Sequence, residues 1–196
     1  MGHSKVDKAA SRERVLRIAA RKVRAEGVTG PGVAELMKEA GLTHGGFYRH
    51  FASRDDLIAH ATAAALAEGT AKMERAARKN EEDPRIGLID AYLTQQHRDA
   101  PATGCALVSL GADAGRGNQD FKRAYERQVR AYLDLIAGLG HETEDARAEA
   151  MLTLSALVGA TLISRAMADP GLCDELLTAV TDQLKQHPST PPAPAV

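Results

Sequence analysis

The stretch GVAELMKEAGLTHGGFYRHFASRDD, residues 32–56, predicts two short helices joined by a tight turn. Apolar residues recur at i, i+3, i+4 and i+7 in its first half, on Val33, Leu36, Met37 and Ala40. Gly41 is placed to end that helix, because glycine enters the left-handed conformation without steric cost. Leu42 fills the turn, and Thr43 is expected to cap the second helix by accepting a backbone N–H. This layout is a helix-turn-helix, whose second helix enters the major groove of DNA.

The second helix, residues 44–51, has the composition of a surface that a partner approaches closely. Its adjacent glycines, Gly45 and Gly46, disfavour a purely structural helix but remove side chains from the surface. Phe47 and Phe51 lie four apart and share one face, so we expect them to anchor the helix. The polar side chains that project elsewhere, and that offer hydrogen bonds to phosphates and base edges, are Tyr48, Arg49 and His50. The alternative is a capped pair of surface helices that binds nothing.

The segment AGLTHGGFYRHFASRDDL, residues 40–57, resembles the DNA-binding signature of the TetR-family transcriptional regulators. The specific resemblance covers about Ser11 to Ala61. It implies an all-α homodimer with an N-terminal three-helix DNA-binding domain and a larger C-terminal helical domain for effector binding and dimerisation. By position, the family's DNA contacts fall on Thr43, His44, Gly45, Tyr48, Arg49 and His50, and its basic residue opening the next helix falls on Arg54. Gly46 departs from the family, whose members often carry a polar residue there.

The charge distribution agrees with DNA binding at one end of the chain. Overall, 25 basic residues stand against 26 acidic ones in 196 residues. Residues 1–55 nevertheless hold 11 Lys and Arg against six Asp and Glu, whereas residues 56–196 hold 14 against 20. A basic head on an acidic body is typical of a protein that meets the phosphate backbone with its head.

Pattern and composition divide the chain into a DNA-binding domain (8–56), a helical ligand-binding and dimerisation domain (57–187) and a disordered Pro-rich tail (188–196). We expect residues 1–10 to be a frayed arm and the first helix to start near Ser11. That helix has an apolar stripe on Leu16, Ala19, Ala20 and Val23, and a basic stripe on Arg14, Arg17, Arg21 and Arg24. The basic stripe either faces phosphate or is a solvated surface. Ser53 and Asp56 have the spacing of a capping box for the next helix.

The last two helices have the composition of an assembly surface. The first is apolar around most of its circumference and carries small residues, which let another helix approach closely. Paired with their copies, the two helices make a four-helix bundle with two-fold symmetry. The residues expected in this dimer interface are Leu152, Ser155, Gly159, Leu162, Leu176 and Val180. The alternative is burial within one monomer. A symmetric dimer requires a near-palindromic operator.

The effector and its pocket are weakly specified, because the chain has no Trp and only seven Phe and Tyr. The candidates for pocket walls are Tyr92, His97, Cys105, Phe121, Tyr125 and Tyr132, and each is equally suited to the core. Cys105 follows a glycine in what reads as the first turn of a short apolar helix, with Thr103 as its cap. A Gly-Cys here also resembles a branch of the family that senses electrophiles or oxidants. Inert packing of the thiol is the alternative.

Other functional classes lack support in the residues. Metalloprotease, serine hydrolase and zinc motifs are missing, so we assign no catalytic residue, metal ligand or cofactor and do not expect an enzyme. Two cysteines suggest a reducing compartment, and the longest apolar run, residues 150–163, is too short to span a bilayer. We expect a soluble cytoplasmic protein, and the family resemblance implies a repressor that a small molecule displaces from a double-stranded DNA operator. The alternative within DNA-binding proteins is a helical architectural or scaffolding protein with no effector.

Overall fold

The computed structural model describes residues 5–140 and 145–186, and every regular element in those ranges is helical. The α-helices are α1 (Lys5–Glu26), α2 (Val33–Glu39), α3 (Arg54–Ala77), α4 (Pro84–Tyr92), α5 (Gln95–Asp99), α6 (Ala106–Arg116), α7 (Gln119–Leu139), α8 (Ala146–Ala166) and α9 (Pro170–Gln186). A 3₁₀ helix, His44–Arg49, lies between α2 and α3. The all-α prediction is confirmed. The predicted tail, 188–196, lies outside the described residues.

The helices form two compact units that do not follow the chain order. The first unit takes the described parts of Met1–Glu68 and Pro101–Tyr125, and the second takes those of Gly69–Ala100 and Glu126–Val196. Helix α6 therefore belongs with the helix-turn-helix, and α3 and α7 each contribute to both units. The predicted domain boundary between residues 56 and 57 concerns independent folding and stays a prediction.

The helix-turn-helix forms where the sequence predicts it. Gly41 has φ +70°, and the amide of Leu42 donates to the carbonyl of Met37 at 2.8 Å, which closes α2 with a left-handed turn. Thr43 occupies the N-cap position of the next helix, but its side chain makes no capping hydrogen bond. That helix is a short 3₁₀ turn and not the expected α-helix. Its poor helix formers, Gly45 and Gly46, give a physical reason for the tighter and shorter form.

Helix α1 differs from the prediction in its start and in one of its faces. It begins at Lys5, so the first described residues are helical and not part of an arm. Val15 is fully buried in the apolar stripe, whereas Leu16 is half-buried. Arg24 was expected in the basic stripe and lies instead in the core with 3% exposure. Its guanidinium donates to the carbonyls of Ala65 and Ala102 and pairs with Glu68, which satisfies the buried charge.

Caps explain where the remaining helices of the first half begin. The Asp56 amide donates to Ser53 Oγ at 3.1 Å, and the Ala52 amide donates to Asp56 Oδ2 at 3.0 Å, so the capping arrangement at the start of α3 is confirmed. A further cap separates α4 from α5. Thr94 Oγ1 accepts from the amide of His97 at 3.0 Å, which starts the short α5 after α4 has ended.

The second unit is built around the pairing of α8 with α9, which also contact α5 and α4 respectively. Arg165 of α8 donates to the carbonyls of His97 and Arg98 at 2.9 Å each. Helix α8 has 21 residues and contains an 18-residue window with a mean hydropathy of 1.3, one third of which is buried, so it could cross a membrane by length and composition only. The apolar run at residues 150–163 lies within this helix, which extends beyond it at both ends.

Candidate nucleic-acid interface

The 3₁₀ helix divides its side chains between an apolar anchor and an exposed polar face. Phe47 and Phe51 are each 2% exposed, and their rings stack with centroids 5.7 Å apart. Arg12 of α1 lies over the Phe51 ring at 5.1 Å, in a cation–π arrangement. Tyr48, by contrast, is 75% exposed, although its ring packs edge-on against Phe47 at 5.2 Å. The sequence-based expectation for the anchor therefore matches the geometry.

A cavity of about 660 Å³ lies beside this helix, in the first compact unit. Helix α1 forms one wall, and the residues lining the whole cavity are Asp7, Lys8, Ser11, Met37, Gly41, Leu42, Thr43, Gly46, Tyr48, Arg49 and His50. The early start of α1 therefore brings Lys8 and Ser11 next to the predicted DNA contacts. Neither is among the predicted site residues, because residues 1–10 were expected to form a frayed arm, from which Lys8 could only follow the DNA backbone.

His50 lies in a cationic environment at the edge of the cavity. Its ring Nδ1 is buried and accepts or donates no hydrogen bond within the described structure. Burial lowers the pKa of His50, and the positive charges of Lys8, Arg12 and Arg49 lower it further. The imidazole is therefore neutral near pH 7. The positive charge around it resides on Lys8, Arg12 and Arg49.

The other predicted DNA contacts on the turn and helix are accessible. Thr43, His44, Gly45 and Arg49 are all exposed. The space around Gly46, where the family often carries a polar residue, would admit a Cβ: the nearest atom is Thr43 Oγ1 at 3.6 Å. The departure at this position is therefore a missing polar group and not a steric necessity.

Arg54 stands apart from the other predicted contacts. Its Nη2 donates to the carbonyls of Val28 and Thr29 at 3.0 Å each and to the carbonyl of Pro31 at 3.2 Å. These carbonyls belong to the loop between α1 and α2, outside both helices. The side chain expected to contact DNA is thus engaged with the protein's own backbone.

The six candidates for the effector pocket fall into both compact units. In the first unit, Tyr125 donates its hydroxyl to the Leu107 carbonyl at 3.0 Å, and burial raises its pKa. Phe121 is half-buried in the same unit. Cys105 is buried and is itself the N-cap of α6, so the expectation of a cap at Thr103 was wrong.

The other three candidates lie in the second unit and are tightly packed. Tyr92 is 7% exposed, and its ring meets that of His97 edge-on at 4.5 Å. The ring Nδ1 of His97 lies 2.7 Å from the carbonyl of Tyr92. Tyr132 is 2% exposed and approaches Gly69 so closely that a Cβ there would overlap its hydroxyl. Their role as pocket walls stays a prediction.

The second unit also has a cavity that the sequence did not indicate. Its volume is about 450 Å³, and its lining residues are Leu93, Gln95, Asp174, Leu177, Thr178, Thr181 and Asp182. None of the six candidates is among them. The sequence pattern did not indicate this cavity, because the lining residues are largely polar and come mainly from one face of α9.

One face of α8 and α9 is apolar and uncovered in the single chain. Leu152 is 70% exposed and Leu162 is 51% exposed, and Met151, Ile163 and Leu172 are exposed nearby. Ser155 is exposed, and a Cβ added at Gly159 would meet no neighbouring atom within 4 Å. Leu176 and Val180 of α9 are half-buried. All six predicted interface residues therefore remain accessible to a partner.

The geometry defines a helical protein of the helix-turn-helix class, and comparisons with known proteins specify its family. Residues 16–61 match the family described as "Bacterial regulatory proteins, tetR family". The transcriptional repressor NemR of Escherichia coli K12 is 25% identical over 114 residues, which cover 57% of this chain and 57% of that protein. The matched segment thus spans little more than half the length of that curated relative.

Solved structures show the same fold over nearly the whole chain. The reduced form of Escherichia coli NemR covers 94% of this chain and all of that one, with a TM-score of 0.74 and 20% identity. A TetR-family regulator from Chloroflexus aurantiacus covers 92% of this chain and 97% of its own, with a TM-score of 0.76 and 20% identity. Residues 16–61 thus match the TetR family of bacterial regulatory proteins, and the chain has the fold of solved TetR-family regulators.

Proposed function

We propose that this protein is a sequence-specific DNA-binding repressor that acts as a homodimer and leaves its operator when a small ligand binds. The observation that carries the proposal is the 3₁₀ helix. Phe47 and Phe51 hold it from inside, while Tyr48 and Arg49 are exposed and line the same cavity as Lys8 of α1. Such a surface suits a combination of base-edge and phosphate contacts. Similarity to a relative named as a transcriptional repressor supports the direction of regulation.

The uncovered face of α8 and α9 supports the homodimer. Monomeric proteins rarely expose a contiguous patch of large apolar side chains, and this one lies along two adjacent helices. A second copy related by a two-fold axis would cover this patch, because the same patch of each subunit then packs against that of the other. Covering the exposed face of α8 in this way also accounts for its apolar composition in a soluble cytoplasmic protein. Two reading helices fixed in one dimer require two half-sites at a set spacing, hence a near-palindromic operator.

The test of DNA recognition is selection from a random pool of double-stranded oligonucleotides by the full-length protein. We expect recovery of a near-palindromic sequence that is bound far more tightly than the unselected pool at physiological salt. Sedimentation of the complex should give two chains per duplex. Recovery of no sequence preference would instead favour the architectural alternative, which needs only backbone contacts.

Release by a ligand sets an energetic requirement. A ligand can weaken operator binding by no more than the difference between its binding free energies for the two conformations, the one that fits DNA and the one that does not. The experiment is a screen of small molecules for release of the selected oligonucleotide, followed by titration of the active compounds onto free protein. Reciprocity requires that the operator weaken the binding of an authentic effector by the same factor. A compound whose affinity is unchanged by DNA is not an effector.

A thiol sensor is a second candidate, favoured by the position of Cys105. This residue starts α6, which shares a compact unit with the helix-turn-helix, and one similar structure is described as a reduced form. Addition of an electrophile to the Cys105 sulfur would enlarge a buried side chain at that helix start. N-ethylmaleimide should then release wild-type protein from the selected DNA. Cys105→Ser should resist release and Cys173→Ser, which removes the other buried cysteine, should not. Equal release of wild type and Cys105→Ser would return the role to non-covalent ligands.

A further inference from the structure

Side chains from other helices bind the backbone of the loop between α1 and α2. Gly27 ends α1 with φ +76°, a conformation that favours glycine. The next helix, α2, starts at Val33, and its N-cap, Gly32, offers no side chain. Backbone groups between these points need partners from elsewhere in the fold. Two side chains, one from α6 and one from α3, supply them.

Asp113 of α6 holds the first end of the loop. Its Oδ2 accepts the amide N–H of Val28 at 3.1 Å, across 85 residues of sequence. The carboxylate comes this close because residue 27 is glycine: a Cβ there would lie 3.1 Å from Oδ2. The other oxygen, Oδ1, accepts from Arg116 at 3.1 Å, and Arg116 is 74% exposed. A hydrogen bond to a charged acceptor is the stronger kind, so the amide is firmly placed.

Arg54 of α3 holds the rest of the loop from its carbonyl side. Its three bonds to Val28, Thr29 and Pro31 draw the carbonyls toward one guanidinium nitrogen. The carboxylate of Asp55 is 3.9 Å from the guanidinium and 97% exposed, so it competes weakly. The guanidinium therefore acts mainly on the loop backbone.

We propose that Asp113 and Arg54 are positioning residues for DNA reading: together they clamp the α1–α2 loop and thereby set the placement of α2 and the 3₁₀ helix. The inference rests on the proposed DNA-binding function. It reassigns Arg54, which the family resemblance places among the DNA contacts. Helix α2 has only seven residues and is joined to the 3₁₀ helix by the turn at Gly41. Because this connection is short, a displacement of the loop should also displace Tyr48 and Arg49.

The variants that test the clamp are Asp113→Asn, Arg54→Lys and Arg54→Gln. The probe is the double-stranded oligonucleotide that wild-type protein selects from a random pool. We expect all three variants to bind it about tenfold more weakly, because each loses charge-assisted bonds to the loop. The salt dependence of binding should keep its wild-type slope, since no phosphate contact is lost.

A phosphate contact at Arg54 predicts a different pattern. Arg54→Lys would then bind nearly as wild type, and Arg54→Gln would lower the salt slope by about one contact. Asp113→Asn would bind as well as wild type or better, because it removes a negative charge. Either result would overturn the proposal. The matched controls are Arg116→Ala, which removes the exposed partner of Asp113, and Asp120→Asn, which removes an exposed carboxylate paired with Arg123. Both should bind as wild type.

Hydrogen exchange on the free protein tests the clamp without DNA. The amide of Val28 should exchange about tenfold faster in Asp113→Asn than in wild type, while the core amides of α3 keep their protection. Unchanged exchange at Val28 would refute the clamp. If wild-type protein selects no DNA at all, the proposed function fails, and the exchange experiment still decides whether Asp113 holds the loop.

Discussion

Tyr48 and Arg49 are exposed on a helix that neighbouring phenylalanines hold in place, so recognition and packing reside on different side chains. Replacing either by Ala should weaken binding to the selected operator while leaving helicity and dimerisation unchanged. Loss of one base-reading contact costs about 1–3 kcal/mol. Gel-shift titration with wild-type operator gives the affinity, and circular dichroism and sedimentation check the fold.

A matched control for these variants is Arg75→Ala, which removes an exposed arginine from the part of α3 that lies in the second unit. It should bind the operator like wild type. If Tyr48→Ala and Arg49→Ala also bind like wild type, the assignment of this helix to DNA reading is wrong.

His97 makes stability depend on pH. Burial lowers its pKa, the nearby charges of Arg165 and Lys72 act in the same direction, and the bond to the Tyr92 carbonyl opposes them. In the unfolded chain the pKa returns to about 6.5. As pH falls below that value the unfolded chain takes up a proton that the folded chain does not, so the free energy of unfolding decreases. Above it both forms are neutral and this contribution is flat.

The measurement is urea unfolding of wild type and His97→Gln between about pH 5 and pH 7.5, the range in which an ordinary histidine titrates. The variant should show a shallower loss of stability on acidification. Some loss should remain, since the pKa of His50 is lowered as well. His44→Gln, which replaces an exposed histidine, should keep the wild-type profile. Parallel profiles for wild type and His97→Gln would show that His97 does not contribute.

At the scale of elements, the turn between α2 and the 3₁₀ helix depends on backbone conformation alone. Gly41 has φ +70° and no atom within 4 Å of a Cβ position, so substitution meets no steric contact. Gly41→Ala should still lower the free energy of unfolding by about 1–2 kcal/mol, because an L-residue is strained in the left-handed region. Urea unfolding measures the difference directly.

Gly45 provides the matched comparison, because it is also open on all sides but does not have a positive φ. Gly45→Ala should change stability by less than about 0.5 kcal/mol or increase it, since Ala restricts the unfolded chain. Equal destabilisation by both substitutions would show that the cost comes from the added methyl group and not from the backbone.

At the scale of the whole molecule, the proposed dimer should depend on Gly159 of α8, where a Cβ would meet no atom within 4 Å in the single chain. Gly159→Arg should shift the protein to monomer, because an arginine at a close helix crossing leaves its charge buried and unpaired. The affinity for the operator should fall as the dimer dissociates, since a single chain can contact only one half-site. Sedimentation equilibrium measures the association, and gel shift measures the affinity.

Gly138→Arg is the control, because this glycine of α7 likewise has no atom within 4 Å of a Cβ position. It should remain dimeric and bind DNA. An intact dimer for Gly159→Arg would place the interface on another surface and leave the apolar face of α8 without its partner.

Local sequence determined much of the helical framework of this protein. The left-handed turn at Gly41, the capping pair Ser53 and Asp56, and the anchor formed by Phe47 and Phe51 all depend on residues within a few positions of each other. Periodicity and capping also act between residues a few positions apart, so they can be predicted from the sequence. Thr94 acts over the same short range, because its hydroxyl accepts the amide N–H of His97 and so starts α5 directly after α4 ends.

Only the tertiary structure decided the roles of the long polar side chains. By sequence, Arg24 belonged to an exposed stripe and Arg54 to a DNA surface, but Arg24 is buried against Ala65 and Ala102, and Arg54 binds loop carbonyls. Asp113 drew no attention in the sequence, although it holds an amide 85 residues away. The physical reason is that an arginine or aspartate is equally compatible with water, phosphate or a buried backbone group. Which of these it meets depends on elements that are distant in the chain and adjacent only after folding.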